Sequence, residues 1–449
     1  MPETAVRRRL VGAFLAIALV TGLATDTVRQ SPGPRSQGPR SEGPRSQLPT
    51  GALRVGWTQD TFSLTAAGLD QRSRSVGLHQ AGVGTDPDVS LMVLDADTGL
   101  PRWGSELTGQ WLVHDGQLVT SAGLGFLTTV HTSRYLNSWT LTAVRLSDGT
   151  VAWHQAGLTG VWLNGGTQTA PTPRLAHDLL LVPGARSLTA LDPTDGRRRW
   201  EWPAPALCTP AVLDAGARAP IVVRCPDTVH GLRPDDGTQR WSWHPVGDQA
   251  LREAAASDTA VGVLSDNNAV VTGSAGADPV GLVVEVTGLD VGTGRPTFRC
   301  QVAGSAHSAP VPEHFGTMHV YAAGGVVLAD GPERITAVSD DGALLWSEPD
   351  ASCPPQGCLL VTGRTAVLVM HSSARGRTVE VAVDLDTRRE RWRAEVPIGQ
   401  AMLADGLIVG LGFAERALTR STIAVLDPLT GAAHLVVPPR RVGGVVAVD

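Results

Sequence analysis

Residues 188–200 read LTALDPTDGRRRW, an apolar run followed by a polar turn, a glycine and a tryptophan. The apolar run predicts a β-strand. Asp192 and the Thr-Asp pair before Gly196 predict a tight turn, because these short side chains bond nearby backbone amides. Gly196 supplies the positive φ that such a hairpin turn requires. The stretch therefore predicts a β-hairpin with Trp200 at a fixed distance beyond its turn.

The same pattern recurs at intervals of 41–57 residues between successive turn positions. Arg388 replaces glycine in one copy, and Leu435 replaces the aromatic residue in the last. The recurring residues are the turn glycines Gly99, Gly149, Gly196, Gly237, Gly294, Gly342 and Gly431 and the aromatic residues Trp103, Trp153, Trp200, Trp241, Phe298, Trp346 and Trp392. Because a four-stranded propeller blade needs ~40–50 residues, residues 50–449 are predicted to form an all-β, eight-bladed β-propeller.

Five copies also carry Asp four residues before the turn position, whereas Arg145, Arg233 and Val338 occupy that place in the others. The segments 51–90 and 441–449 flank the first and last copies. An open sheet edge invites aggregation, so we expect one terminus to complete a blade begun by the other and to close the ring.

The pattern D-x-x-T-G-x-x-x-W after a β run resembles the PQQ-like repeat of quinoprotein dehydrogenases and of the propeller lipoprotein of the outer-membrane β-barrel assembly machine. The resemblance covers roughly residues 51–449. It implies that each Trp stacks between neighbouring blades and docks on the glycine of an adjacent repeat. The adjacent cysteines of quinoprotein alcohol dehydrogenases are missing from this sequence. We therefore predict a protein that is not an enzyme, with no catalytic, cofactor-binding or metal-binding residues.

The N-terminus has the features of an export signal. Three arginines at 7–9 precede an uncharged apolar run at 10–24. As a helix, this run spans roughly 22 Å, short of a ~30 Å hydrocarbon core, so residues 1–24 are a cleaved signal or a short uncleaved anchor. Residues 25–49 contain Gly-Pro-Arg-Ser three times and predict a disordered, extended linker. We expect an extracytoplasmic domain whose membrane association depends only on this N-terminal segment.

Composition excludes a nucleic-acid partner. Gly at 51, Pro at 31 and a charged fraction of 18% indicate a turn-rich globular chain. Beyond residue 49, 30 arginines are scattered among 40 acidic residues. Nucleic-acid binding needs a basic stripe that neutralises phosphates, so we predict no such partner.

The five cysteines favour an oxidising compartment. Cys208 and Cys225 lie on neighbouring predicted strands, and Cys353 and Cys358 flank a Pro-Pro-Gln-Gly turn. We predict that each pair forms a disulfide. Cys300 is left over and is expected to be a buried free thiol.

Longer connections are the expected partner surfaces. One is the small-residue stretch 264–281. The other is 125–139, where Phe126, Arg134, Tyr135 and Trp139 combine aromatic and Arg side chains typical of interface hot spots. The predicted function is an exported, non-catalytic scaffold or ligand-binding module whose partner is an unknown envelope protein or small ligand. The alternatives are a PQQ-dependent dehydrogenase and an extracytoplasmic sensor domain.

Overall fold

The computed structural model of the chain is all-β in the residues that it describes. None of these residues belongs to a helix with the length and apolar character needed to cross a membrane. The described residues are 15–20, 55–61, 64–70, 75–80, 89–95, 100–107, 110–112, 119–132, 137–159, 161–162, 168–169, 173–213, 216, 219–247, 249–266, 283–304, 319–330, 334–349, 351–353, 359–372, 377–395, 400–404, 407–413, 421–436 and 442–445.

Short strands follow one another along the first half of the chain. In order they are β1 (Leu15–Val20), β2 (Val55–Thr61), β3 (Leu64–Asp70), β4 (Ser75–Gln80), β5 (Val89–Asp95), β6 (Pro101–Leu107), β7 (Gln110–Leu112), β8 (Val119–Ser121), β9 (Leu124–Thr132), β10 (Asn137–Arg145), β11 (Val151–Thr159), β12 (Val161–Trp162), β13 (Gln168–Thr169), β14 (Arg174–Ala176), β15 (Leu179–Pro183), β16 (Ser187–Leu191), β17 (Arg198–Pro203), β18 (Ala211–Leu213), β19 (Ile221–Arg224), β20 (Val229–Leu232) and β21 (Gln239–Trp243).

The second half continues in the same way. Its strands are β22 (Ala250–Ala256), β23 (Ala260–Asp266), β24 (Val283–Asp290), β25 (Pro296–Gly304), β26 (His319–Ala323), β27 (Val326–Asp330), β28 (Arg334–Ser339), β29 (Leu344–Pro349), β30 (Ala351–Ser352), β31 (Leu359–Thr362), β32 (Thr365–Ser372), β33 (Arg377–Asp384), β34 (Arg389–Ala394), β35 (Gln400–Ala404), β36 (Leu407–Phe413), β37 (Ser421–Leu426), β38 (Ala433–Val436) and β39 (Val442–Val445).

Eight antiparallel sheets of four or five strands form the blades within the described residues. They are blade 1 (β3–β6), blade 2 (β7–β11), blade 3 (β14–β17), blade 4 (β18–β21), blade 5 (β22–β25), blade 6 (β26–β29), blade 7 (β30–β34) and blade 8 (β35–β38). The predicted eight-bladed propeller is confirmed. Its core lies between the blades, where the alternate apolar residues of neighbouring sheets pack together in buried clusters.

The first strands of neighbouring blades contact each other: β22 contacts β26, β26 contacts β31, and β31 contacts β35. Since wedge-shaped blades approach most closely at the axis, these strands line the centre of the ring. Within a blade, the turn between the first two strands is hydrogen-bonded to the turn between the last two. Examples are the bonds from Leu146 N–H to Gly123 O at 2.8 Å and from Asp340 N–H to Gly325 O at 2.9 Å. These paired turns define the first face of the propeller. The opposite face is the second face.

The termini meet outside the blades. Strand β1 pairs antiparallel with β2 and parallel with β39 in a separate three-stranded sheet. Blades 1 and 8 are each built from four consecutive strands. The expectation that one terminus completes a blade is therefore wrong, because each end of the repeat array already supplies a whole blade. Strand β1 falls inside the predicted leader, and the other residues of 1–54 lie outside the described residues.

A tryptophan on the fourth strand joins each of several blades to the next one. The indole of Trp200 packs on Gly237 of the following blade so closely that an added Cβ would lie 2.5 Å from the ring. The same packing joins Trp103 to Gly149, Trp153 to Gly196, Trp241 to Gly294 and Trp392 to Gly431, whereas Gly342 is approached most closely by the Cβ of Phe298. Gly99 and the Leu435 side chain lie outside the described residues.

Each of these indoles also donates a hydrogen bond across the seam between the blades. The Trp200 Nε1 lies 2.7 Å from the carbonyl oxygen of Pro234. The equivalent acceptors, at 2.9–3.0 Å, are Leu146 for Trp103, Pro193 for Trp153, Val291 for Trp241 and Pro428 for Trp392. A large apolar surface and a satisfied N–H thus hold one blade to the next.

Gly237→Ala is expected to lower the free energy of unfolding by about 2–5 kcal/mol. The left-handed backbone (φ 71°) costs Ala about 1–2 kcal/mol, and the methyl group overpacks the Trp200 indole at a further cost of about 1–3 kcal/mol. Gly247→Ala is the matched control, because Gly247 has φ 69° and no atom within 4 Å of an added Cβ. Equal losses in denaturant unfolding would contradict the docking role of Gly237.

The cysteines divide into bonded and free groups. Cys208 and Cys225 form a disulfide within the buried core of blades 3 and 4, as predicted. Cys353 is also disulfide-bonded, and its predicted partner Cys358 lies outside the described residues. Cys300 is free as expected, but it is half-buried rather than buried.

Breaking the Cys208–Cys225 bond is expected to cost about 3 kcal/mol, the loop-closure value for a separation of 17 residues. The double variant Cys208→Ser/Cys225→Ser can be compared with Cys300→Ser by urea unfolding, and only the double variant should lose stability. Peptide mapping without reductant should label Cys300 and leave Cys208 and Cys225 linked. Labelling of all three cysteines would contradict the assignment.

Candidate functional site

The carboxylates of the repeated turns form hydrogen bonds and ion pairs within their own hairpins. Asp192 accepts hydrogen bonds from the backbone N–H of Thr194 at 2.9 Å and from its hydroxyl, and it also pairs with Arg199. The Thr194 bonds, and then the Arg199 charge, lower the pKa of Asp192 to about 2. Asp95 pairs with Arg102 in the same way at 2.7 Å. These acidic residues therefore stabilise the hairpins and leave little capacity for a ligand.

The first face carries exposed apolar side chains at the ends of these turns. Leu100, Val151, Leu344 and Leu429 are each 55–66% exposed. They belong to blades 1, 2, 6 and 8, and the first three lie just after a turn position. Full burial of one such Leu or Val side chain against another molecule would contribute about 1.5–3 kcal/mol.

The partner surface predicted from the sequence does not form as expected. Phe126 is buried in the core between blades 2 and 3, where it contacts Trp153, and Trp139 is buried beside Leu158. This prediction is corrected for Phe126 and Trp139, because the strand alternation of β9 and β10 directs both side chains between blades. Further predicted members, namely Arg134, Tyr135 and the stretch from 267 to 281, lie outside the described residues.

A group of titratable side chains lies on the inner strands near the second face. Glu253 on β22 accepts a hydrogen bond from the backbone N–H of Val320 at 3.0 Å, and its Oε2 lies 3.1 Å from Nδ1 of His319. Asp330 ends β27 directly opposite His319, and it accepts the Cys353 N–H at 3.0 Å. Tyr321 follows two residues after His319 on β26. We call Glu253, His319, Tyr321 and Asp330 the inner cluster.

Burial perturbs two members of the inner cluster. Desolvation raises the pKa of Asp330 to about 6, against the opposing effects of the Cys353 N–H bond and the His319 charge. Desolvation, and then the charges of Asp330 and Glu253, raise the pKa of Tyr321 to about 12. The cluster therefore combines a neutral phenol with one carboxylate that titrates in the physiological range.

This chemistry suits hydrogen bonding to a small polar or cationic group. PQQ, a quinone with three carboxylates, would need a cation between its own carboxylates and those of Glu253 and Asp330 to bind there. No three metal-ligating side chains converge within the part of the chain that the structure describes. The inner cluster falls on non-repeating positions of the strands. The only sequence signals for it are isolated charges in apolar strands, as in VVLAD ending at Asp330.

Asp330→Asn is expected to make stability less dependent on pH. A pKa raised from 3.8 to about 6 means that the folded state binds the proton more tightly. The free energy of unfolding of the wild type should therefore fall by roughly 2–3 kcal/mol relative to that of the Asn variant as pH rises from about 4 to about 7. Denaturant unfolding across that range measures the difference.

Asp192→Asn is the control of opposite sign. In the wild type, the depressed pKa of Asp192 stabilises the fold above pH 4, and that contribution is lost as pH falls toward 2. A wild type and an Asp330→Asn variant with parallel pH profiles would contradict the burial of an ionisable Asp330.

Comparison with known proteins supports the repeat assignment. A family model described as outer membrane protein assembly factor BamB matches residues 55–207 and 226–405. A search of curated proteins finds no match. Among solved structures, the chain is similar to quinohemoprotein alcohol dehydrogenase ADHIIG from Pseudomonas putida HK5, with 11% identity, a TM-score of 0.38 and coverage of 69% of this chain. It spans 60% of the length of that dehydrogenase.

Two further structures are similar. A europium-containing methanol dehydrogenase has 13% identity and a TM-score of 0.43, with 86% of this chain and 81% of that chain covered. A eukaryotic initiation factor has 9% identity and a TM-score of 0.50, with 85% and 89% covered. These identities speak to the fold alone. Because the family model covers most of the propeller, the chain belongs to the family of outer membrane protein assembly factor BamB, whose repeats are PQQ-like.

Proposed function

We propose that this protein is an exported, non-catalytic scaffold that binds a protein partner of the cell envelope through the first face of its propeller. The exposed apolar residues of that face carry the proposal. Leu100, Val151, Leu344 and Leu429 point to solvent although the blades around them are tightly packed. The predicted N-terminal segment would supply export and the only membrane association.

The ring is well suited to this role because its recurring residues already form contacts within and between the blades. The docking indoles are packed and hydrogen-bonded across the seams, and the turn carboxylates bond their own turns. The blades are therefore a rigid support, and rigid supports lose little entropy when their loops bind a partner. The family description, an assembly factor, agrees with a role in holding other proteins together.

The inner cluster favours a second candidate, recognition of a small polar ligand by an extracytoplasmic sensor domain. Tyr321 and Asp330 are half-buried and buried groups beside the axis, and such groups orient small ligands. The dehydrogenase alternative has less support, since the sequence lacks the adjacent cysteines of quinoprotein alcohol dehydrogenases. Adding PQQ with calcium to the full chain and following dye reduction would test it, and turnover would overturn the scaffold proposal.

Partner capture tests the first face directly. The full chain, cross-linked in its native envelope, should recover a defined partner, and the double variant Leu100→Ser/Leu429→Ser should recover at least tenfold less. Loss of two buried Leu contacts, at about 1.5–3 kcal/mol each, accounts for that factor. Retention of the partner by the double variant would sink the assignment of this face.

The chain offers a matched control for that experiment. Leu207 is 95% exposed in the connection between blades 3 and 4, which lies toward the second face. Leu207→Ser removes a comparable exposed side chain and should leave capture unchanged. If Leu207→Ser and the double variant both abolish capture, the surface effect is non-specific and the proposal fails.

A further inference from the structure

Blade 6 is attached differently from its neighbours. On the side of blade 5, the docking residue is Phe298, which packs on Gly342 but has no N–H to donate. On the side of blade 7, Arg388 occupies the glycine position with φ 57°. Five pairs of neighbouring blades are joined by a hydrogen bond from an indole N–H to a carbonyl oxygen, and Phe298 cannot form this bond. Where Trp346 meets blade 7, the docking glycine is replaced by Arg388.

The turn of blade 6 is also one residue shorter. Ser339 N–H bonds the carbonyl oxygen of Ala343, four residues on, whereas Asp192 N–H in blade 3 bonds Arg197, five residues on. The Ser339 hydroxyl accepts the Ala343 N–H at 3.1 Å and takes the place of the missing aspartate. The short turn explains why Val338 appeared to break the Asp pattern, because the equivalent position is Ser339.

Charged groups cross both seams of blade 6. Toward blade 5, Glu253 bonds Val320 N–H and His319 at the inner strand. Toward blade 7, Arg393 forms a two-pronged pair with Glu348 at 3.1 Å for both bonds.

Two more polar links reach blade 7. Arg388 donates to Asp341 on the first face at 3.0 Å. Asp330 accepts Cys353 N–H near the second face. Polar links therefore cross the 6–7 seam at the centre of the ring, on its outer strands and on its first face.

Ion pairs elsewhere in the described part of the chain stay within one blade. Arg199 with Asp192, Arg252 with Asp266 and Arg391 with Asp384 each join residues of the same sheet or its turn. The described ion pairs that cross a seam are those of Arg388 and Arg393, and both join blade 6 to blade 7. The contact of Glu253 with His319 is an ion pair only when the imidazole is protonated.

We infer that ion pairs supplement the apolar packing of blade 6 at its seam with blade 7 and make this blade a salt-controlled opening unit of the propeller. Salt screens exposed charge pairs but barely affects an indole packed on glycine. Rising ionic strength therefore weakens the seam between blades 6 and 7 and leaves the Trp-linked seams closed. Opening at this blade would expose the apolar faces of β27 and β28, which are buried in the closed ring.

Hydrogen exchange followed by mass spectrometry tests this on the full chain. The pH is held constant while NaCl is raised from about 0.02 M to about 0.5 M, which shortens the Debye length from roughly 20 Å to roughly 4 Å. Amides of β27 (Val326–Asp330) should exchange about tenfold faster at high salt. Amides of β15 (Leu179–Pro183) in the Trp-linked blade 3 should change less than twofold. Equal responses of the two strands would overturn the inference.

Two variants separate the ionic seam from general stability. Glu348→Gln removes the pair with Arg393 and should raise β27 exchange about fivefold at low salt, with a smaller further effect of salt. Glu201→Gln is its control, because Glu201 pairs with Arg198 inside strand β17. Similar exchange of β27 in both variants would contradict an ionic seam.

Phe298→Trp tests the same inference by restoring the missing link. Phe298 pairs with Gly288 as Trp241 pairs with Gly231, and the Cβ position of both glycines is occupied by the aromatic ring of their partner. The larger ring is therefore expected to fit. The variant should slow β27 exchange about fivefold at high salt and leave exchange in β15 unchanged. Unaltered or faster β27 exchange in this variant would count against the proposal.

Discussion

The contact between an indole and the turn glycine of the next blade is the constraint on which the ring depends. It joins elements some 35–50 residues apart in sequence, as the Trp200 to Pro234 and Trp241 to Val291 bonds show. A side chain at the turn position would occupy the space of the ring, so the position demands glycine for its volume as well as for its left-handed backbone. Each blade is thereby held by a surface that its neighbour supplies.

The residue opposite each indole follows from the same constraint. On the third strand, the partner of Trp153, Trp200, Trp346 and Trp392 is an alanine. In blades 4 and 5 it is Gly231 or Gly288, and the aromatic ring occupies the space of the missing Cβ. A large residue there would push the indole away from the next blade. Packing on both faces of one ring thus limits two positions of the repeat, although Val93 lies opposite Trp103 in blade 1 and Arg388 replaces the turn glycine of blade 7.

The sequence was sufficient to predict the blade count, the turns and the Cys208–Cys225 bond, because each depends on a local pattern or a repeated spacing. It could not predict how the termini pair, since β1 and β39 carry no repeat signal. It also misplaced Phe126 and Trp139, because aromatic residues in a long connection and in a buried strand look alike without the strand register. The inner cluster was missed because its four members come from three strands, and only the fold brings Glu253 beside His319.

A blade that must pack against a neighbour on both sides has few positions left for residues that bind a ligand or a partner. Departures from the repeat are therefore informative, and in this chain several of them fall on or beside blade 6: Phe298, Ser339 and Arg388. The charges that replace the missing indole contacts include Glu253 and Asp330, which also belong to the inner cluster. The polar site near the axis therefore contains two of the polar links that hold blade 6 to its neighbours. A ligand or partner that engages Glu253 must compete with the bond that holds Val320, so binding at the centre and docking of blade 6 are linked by the same carboxylate.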